Sequence, residues 1–442
     1  MNAPHTPRAQ VDMEAIILVT ALCVLIFLGA PVGIALAVLP VLYIMLTGEL
    51  PLSTIPYQMY EALASPPLIA VPLFLFTGEL MNTGNITDRL LALSRELVGR
   101  IRGGLAQINI VLSMLFAGIS GSAVADTATV GTILIPAMKK SGYPPAFAAA
   151  LTAIASTIGG IVPPSIAMIL LASGLGVSVG ALFAAGILPG LLVGVLLMIT
   201  VYVMALRKNF ERYKEPFRLS VLLRVLAEAI VPLLIPVVLV GGISLGVFTA
   251  TEAGAITVLM ALAIGLVVYR SLSWRSLVGA MIRTTKLTGS VFFILAASGP
   301  FGWLLNRVGA LQWLEGWLGG YAGNPVLFAF ALVGFILLVG TVIEAVPAIV
   351  VLGPTLVHSC VKAGYHPLQA GMVIVVGFIL GAVSPPVGII YFTAARIADE
   401  TLEKVGIALI PFMLVEVFAM FLLLWVPGFS LWLPSLFGFI RG

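Results

Sequence analysis

Charge is almost absent from long stretches of this chain, and that constrains its fold more than any other feature. The sequence runs in apolar segments at about 13–46, 63–83, 105–138, 146–174, 179–206, 228–269, 288–305, 326–357, 368–394 and 405–426. A run of ~20 apolar residues is long enough to cross a bilayer. Only 9% of the 442 residues are charged and 61% are hydrophobic, whereas a soluble domain carries roughly 25% charged residues. So few charges cannot coat a water-facing surface of this size, and the expected fold is an all-α polytopic membrane protein. The net charge of +4 is no nucleic-acid footprint, because the cations sit in short loops between apolar runs. Cys23 falls in an apolar run and Cys360 in an expected loop; two cysteines and three histidines exclude a disulfide scaffold and leave little for metal catalysis. The polar segment 1–12 lacks a basic region followed by a short apolar stretch and a cleavage site, so no cleaved signal peptide is expected.

Several runs are too long for one crossing. The first breaks near Gly29-Ala30-Pro31, which suits a tight turn between two helices. Runs 105–138 and 326–357 have small-residue centres, Gly118-Ile119-Ser120-Gly121-Ser122 and Gly340-Thr341, so each is either one tilted helix or a re-entrant hairpin. The cations choose. If both are hairpins, the cytoplasmic segments 84–104, 139–145, 207–225, 270–287 and 395–404 hold 18 of the 22 Lys and Arg, and only Arg8, Arg307, Lys362 and Arg441 lie outside. That split follows the positive-inside rule and degrades if 105–138 crosses once. The expectation is about ten crossings plus two hairpins, with both termini outside. Residues 86–102 place Ile86, Leu90, Leu97 and Ile101 at helical spacing with charges on other faces, as in an amphipathic helix on the cytoplasmic interface. Residues 309–319, with Trp313 and Trp317, are an external counterpart.

The two halves align with each other. Gly78–Asn82 matches Gly302–Asn306 at an offset of 224, and Asp126 and Pro136 match Glu344 and Pro354 at 218. Gly142-Tyr143, Pro163-Pro164 and Pro189 match Gly364-Tyr365, Pro385-Pro386 and Pro411 at 222. Five crossings per half is an odd number, so the second copy is inverted. The repeats are expected at 13–206 and 226–442, joined by a cytoplasmic linker at 207–225. Hairpin one (105–138) is followed by a broken helix (146–174), and hairpin two (326–357) by another (368–394). Inverted repeats with broken helices are the architecture of secondary transporters, with the site near the midplane.

Each half therefore offers two non-helical centres. Proline removes a backbone donor and frees an upstream carbonyl, and unwound backbone persists in a bilayer only where it is buried or lines a polar cavity. Carbonyls and hydroxyls are hard oxygen ligands suited to Na⁺. The cation-site candidates are Ser120, Gly121, Ser122, Gly159 and Gly160 in the first half and Gly340, Thr341, Gly381 and Ser384 in the second. Half-helix N-termini attract a carboxylate, which makes Asp126, Thr127, Pro163, Pro164, Ser165, Glu344, Pro385 and Pro386 candidates at the substrate site. Asp126 and Glu344 open the second half of each hairpin, where an acid either caps the helix or serves the transported ion. Gly118-Ile119-Ser120-Gly121 also fits the G-x-S-G of intramembrane serine proteases, but His5, His358 and His366 are all expected outside, leaving no embedded base. No Walker sequence is present. Glu252, after Thr249, reads as part of a capping turn.

At these residues a family becomes recognisable. The chain resembles the large membrane subunit of TRAP (tripartite ATP-independent periplasmic) transporters. The stretches that carry the resemblance are Pro72–Met81 (PLFLFTGELM), Ile119–Asp126 (ISGSAVAD), Ile135–Met138 (IPAM), Gly142–Pro145 (GYPP), Ile161–Ser165 (IVPPS), Ser384–Gly388 (SPPVG) and Leu431–Pro434 (LWLP). It runs from about residue 13 to the C-terminus. It implies an elevator-type importer of small organic acids in the bacterial inner membrane, coupled to Na⁺ and without enzymatic activity or another cofactor. It also implies two partners, a small four-helix membrane subunit and a soluble periplasmic substrate-binding protein. The family often has an Asp-Gly-Thr-like stretch where this chain has Glu344-Ala345-Val346-Pro347. The alternatives are a self-sufficient ion-coupled carboxylate carrier and a passive channel or scaffold subunit.

Overall fold

A computed structural model describes residues 8–84, 86–208, 210 and 218–440. Every regular element among them is helical. The first half runs α1 (Arg8–Phe27), α2 (Val32–Thr47), α3 (Thr54–Leu63), α4 (Ala70–Thr83), α5 (Ile86–Val98), α6 (Gly104–Ser120), α7 (Ala123–Lys140), α8 (Pro145–Ala155), the single turn α9 (Ile158–Ile161), α10 (Ile166–Leu175) and α11 (Val179–Lys208). The second runs α12 (Leu219–Ser244), α13 (Ala250–Ala263), α14 (Trp274–Arg307), α15 (Ala310–Gly319), α16 (Pro325–Gly340), α17 (Ala345–Lys362), α18 (Pro367–Gly381), α19 (Ile389–Ala398), α20 (Leu402–Trp425) and α21 (Gly428–Leu436).

Both expected hairpins double back. Asn109, near the start of α6, reaches the sulfur of Met138, near the end of α7, at 3.7 Å. Phe328, near the start of α16, stacks on Tyr365, just beyond α17, with ring centroids 5.7 Å apart. The first broken helix bends by 41° between residues 161 and 166. Hairpins and broken helices pack on one another: α7, α19 and α20 lie on α8, while α16, α17 and α20 lie on α18. Helices α8 and α18 are buried on nearly every face, which is why PAFAAALTAIA and PLQAGMVIVVGFILG carry no polar stripe. Around this centre, α14 packs on α2, α3 and α4, and α13 on α4. The outer helices turn bare side chains such as Phe27 and Leu46 outward, 61% and 85% exposed, as a bilayer allows and water does not.

Contacts between charged segments agree with the sidedness read from the cations. Arg307 pairs with Glu49 at 2.9 Å and Lys362 with Glu315 at 3.0 Å, all external residues. On the cytoplasmic side Arg283 pairs with Glu79, the Lys139 ammonium donates to the Ala398 carbonyl at 2.6 Å, and Arg89 lies 3.4 Å over the Tyr269 ring. Thr249 and Glu252 form the expected capping box, the Thr249 N–H donating to Glu252 Oε2 at 2.8 Å.

Several expectations are corrected. Cys360 is not in a loop; it is buried in the last turn of α17. The buried stripe of α5 is Ile86, Leu90, Leu93 and Val98, and Leu97 is exposed, because the helix packs between α6 and α12 rather than lying only on lipid. Segment 1–12 is not all irregular, since α1 starts at Arg8; residues 1–7 lie outside the described residues. Helix α12 begins at Leu219, inside the expected linker, of which 209 and 211–217 are also outside the described residues. Helix α14 is 34 residues long and takes in most of 270–287. At ~1.5 Å per residue it is far longer than the ~30 Å hydrocarbon core, so its charged first turns can extend beyond it.

This sidedness predicts labelling. In a background with Cys23 and Cys360 replaced, Arg275→Cys should react with a membrane-impermeant maleimide only from the cytoplasmic side. Gly323→Cys should react only from outside. Reaction of both from one side would overturn the ten-crossing topology.

Candidate functional site

In hairpin one, α6 ends at Ser120, Gly121 turns the chain with φ of 64°, and Ser122 caps α7 by accepting from the Ala125 N–H at 3.4 Å. The cap is therefore Ser122, which leaves Asp126 free for another task. Asp126 is wholly buried; the Ser120 hydroxyl donates to its Oδ1, and its Oδ2 has no partner. That free oxygen points at the first break: a Cβ on Gly159 would lie 1.9 Å from it. Only a residue without a side chain lets the carboxylate reach the backbone there. A Cβ on Gly121 would lie 2.6 Å from the Pro164 carbonyl oxygen, and the Ile166 N–H donates to the Gly121 carbonyl at 3.4 Å. The hairpin tip is thus seated on Pro163-Pro164-Ser165, all three buried. Ser165 caps α10 through Met168 N–H at 3.3 Å and donates to the Gly160 carbonyl. The structure brings Ser120, Gly121, Ser122, Asp126, Gly159, Gly160, Pro163, Pro164 and Ser165 to one locus. Thr127 is buried beside it, but its hydroxyl donates to Ala123 in its own helix at 2.9 Å.

Hairpin two meets its break differently. Gly340 and Gly381 touch backbone to backbone, so a Cβ on Gly381 would lie 2.5 Å from Gly340 Cα. Ser384 and Thr341 donate to carbonyls of their own helices, Leu380 and Leu338, at 2.9 and 2.8 Å. Glu344 occupies the position before α17 without capping it. Pro385 and Pro386 are exposed, unlike their first-half counterparts. The breaks touch through Gly160, where a Cβ would lie 2.6 Å from the Ile379 side chain.

Two features were missed in the sequence. Glu416, in the middle of α20, is wholly buried against the Thr157 hydroxyl at the first break; a lone acid inside an apolar run was the signal available. A cavity of about 510 Å³ between α3, α14 and α17 is lined by Gln58, Ser298, Trp303, Asn306 and Thr355, and its polar residues are scattered over three helices without a shared motif. No cluster of three or more His, Cys, Asp or Glu exists among the described residues. His366 caps α18, its Nδ1 accepting from Leu368 N–H at 3.2 Å, and burial pushes its pKa down. Ser120 is bonded to Asp126, and among the described residues no imidazole meets it.

The model of the tripartite ATP-independent periplasmic transporter family, DctM component, matches residues 19–429. The chain belongs to this family. It is similar to the sialic acid TRAP transporter large permease protein SiaM of Vibrio cholerae, 34% identical over 93% of this chain and 96% of that one. It is also similar to the C4-dicarboxylate TRAP transporter large permease protein DctM of Pseudomonas aeruginosa, 32% identical over 86% and 89%. In fold it resembles the YdaH transporter of Alcanivorax borkumensis, with a TM-score of 0.61, 16% identity and 88% of both chains covered. As a DctM-family chain with many apolar helices, it is a multi-pass protein of the bacterial inner membrane.

The Gly159–Asp126 contact predicts a selective cost. Gly159→Ala places a methyl on the carboxylate and should destabilise the fold by ~1–3 kcal/mol, the usual cost of overpacking. Gly316→Ala, with no atom within 4 Å of its Cβ, should leave the thermal melt in detergent unchanged.

Proposed function

We propose that this chain is the membrane carrier of a Na⁺-coupled TRAP importer for a small organic acid, and not an enzyme. One observation carries the reading. A wholly buried Asp126, with a free carboxylate oxygen, sits where a hairpin tip is seated on a helix break. An unpaired buried acid is costly, and a cation held between that oxygen and nearby carbonyls and hydroxyls would offset the cost. Ser120, Gly121, Ser122, Gly159 and Gly160 are within reach of one such site, and Gly340, Thr341, Gly381 and Ser384 would form its counterpart. A carboxylate substrate would bind beside the cations, against the half-helix N-termini near Thr127, Pro163, Pro164, Ser165, Glu344, Pro385 and Pro386. The sialic acid and C4-dicarboxylate relatives, both named for carboxylates, support that substrate class.

The mutual packing of hairpins and broken helices supports an elevator, in which they move as one body against α1–α4 and α12–α14. The bare outer surface of those flanking helices suits a small four-helix membrane subunit, and the external loops suit a periplasmic binding protein that delivers the substrate. Two inverted repeats, 13–206 and 226–442, would each supply one hairpin and one broken helix to the moving body.

Reconstituted vesicles test it. With the small subunit and binding protein present, an inward Na⁺ gradient should drive accumulation. Ser120→Ala should weaken the Na⁺ dependence several-fold, and Gly381→Val, which drives a side chain into Gly340, should abolish uptake. Unchanged Na⁺ dependence in Ser120→Ala and Ser384→Ala would remove the ion-site assignment. Accumulation by the chain alone would favour the self-sufficient carrier, and a gradient that drives nothing would favour a passive channel or scaffold.

A further inference from the structure

Glu416 stands apart from the ion and substrate residues. It is the only acid within the apolar body of α20, its side chain is wholly buried, and Oε1 lies against the Thr157 hydroxyl. The same hydroxyl lies 2.6 Å from the Ile154 carbonyl oxygen. A threonine hydroxyl has one proton to donate. If Glu416 were ionised, that proton would face two acceptors, and one contact would set oxygen against oxygen with no hydrogen between them. A protonated Glu416 closes the count: Oε1–H donates to Thr157 Oγ1, and Thr157 donates to Ile154. Oε2, which has no partner, is then a neutral carbonyl oxygen, far cheaper to bury than half of a carboxylate. Asp126 behaves differently, since Ser120 can donate to it while accepting from the Ser122 N–H at 3.3 Å. Its bonds close without a proton on the acid.

Among the described residues, no cation pairs with Glu416. Of the helices packed on α20, α8, α16 and α18 contain no titratable side chain. Helix α11 carries Tyr202, Arg207 and Lys208 in its last turns, α19 carries Tyr391 and Arg396, and α20 itself carries Glu403 and Lys404. These lie toward the cytoplasmic ends; Lys404 is ~18 Å from Glu416 along the helix axis. Asp126 faces Gly159 rather than Thr157.

We propose that Glu416 is a proton-binding site that sets the hydrogen bonding of the first break. In the present conformation it holds one proton on Oε1. On release the O–H bond breaks, the electron pair stays on Oε1 and the proton passes to water. The Thr157 hydroxyl then turns to donate to Oε1 and leaves the Ile154 carbonyl. Loading the site therefore changes which bond holds the end of α8, two residues from the Gly159 backbone that Asp126 faces. The site is filled at low pH and empties as pH rises. The proton itself does not depend on the transport reading; its consequence for uptake rests on it.

Infrared spectroscopy of the full chain in lipid vesicles tests the proton directly. A protonated-carboxyl C=O band should be present at neutral pH, lost in Glu416→Gln, and shifted in Thr157→Val, where the acid loses its acceptor. A spectrum unchanged by either substitution overturns the site whether or not the chain transports. In Na⁺-driven uptake, the wild type should fall as pH rises and Glu416 empties. Glu416→Gln, whose amide N–H still donates to Thr157, should keep its uptake and lose that pH dependence. The opposite pattern, Glu416→Gln inactive with Glu416→Asp active, would mean that a charged carboxylate is required and would overturn the proposal.

Discussion

Helix ends inside a bilayer present carbonyl and N–H groups that no solvent will bond. This chain has such ends at two hairpin tips and two helix breaks, and it covers them with each other. The tip of hairpin one lies on Pro164 and Ile166, and the tip of hairpin two lies on Gly381. Backbone can approach backbone this closely only where side chains are missing, which is why Gly121, Gly340 and Gly381 occupy those points. The rest follows from these contacts. Because tips and breaks must meet, α8 and α18 are enclosed at the centre, and outer helices such as α1, α2 and α12 are left with bare apolar faces.

Much of this was legible in the sequence. The small-residue centres at 118–122 and 340–341 marked the tips, and the two Pro-Pro pairs marked the breaks. The distribution of Lys and Arg separated hairpins from single crossings, and charge contacts such as Arg307 with Glu49 agree with that sidedness. Membrane chains are unusually readable in this respect, since each loop cation reports a side. What could not be read was contact between segments distant in the chain. Nothing in the sequence says that Asp126 sits under Gly159, or that Glu416 meets Thr157 across 259 positions. Hydropathy also blurs helix ends: α14 carries its helix through charged residues because long side chains reach polar surroundings while their stems stay apolar.

The two halves share an order of elements but not a chemistry. The first break has a buried acid on each side, Asp126 and Glu416, and its prolines are covered. The second has Gly340 against Gly381, hydroxyls engaged in their own helices, and exposed prolines. The position corresponding to Asp126 is Glu344, one methylene longer and not capping the helix it precedes. Sequence alignment of the halves pairs these residues, yet the environments differ. Asp126 and Glu416 are wholly buried, whereas Glu344 is only partly covered.

The bond from Lys139 to the Ala398 carbonyl has a mechanical meaning. Lys139 closes the foot of hairpin one, and Ala398 ends the broken helix of the other half. A charge-assisted bond between them ties together the feet of two elements 259 positions apart. Under the proposed elevator, the bond would favour joint movement of hairpin one and the second broken helix at that face. Gearing of this kind would let one event at a single break be felt at both.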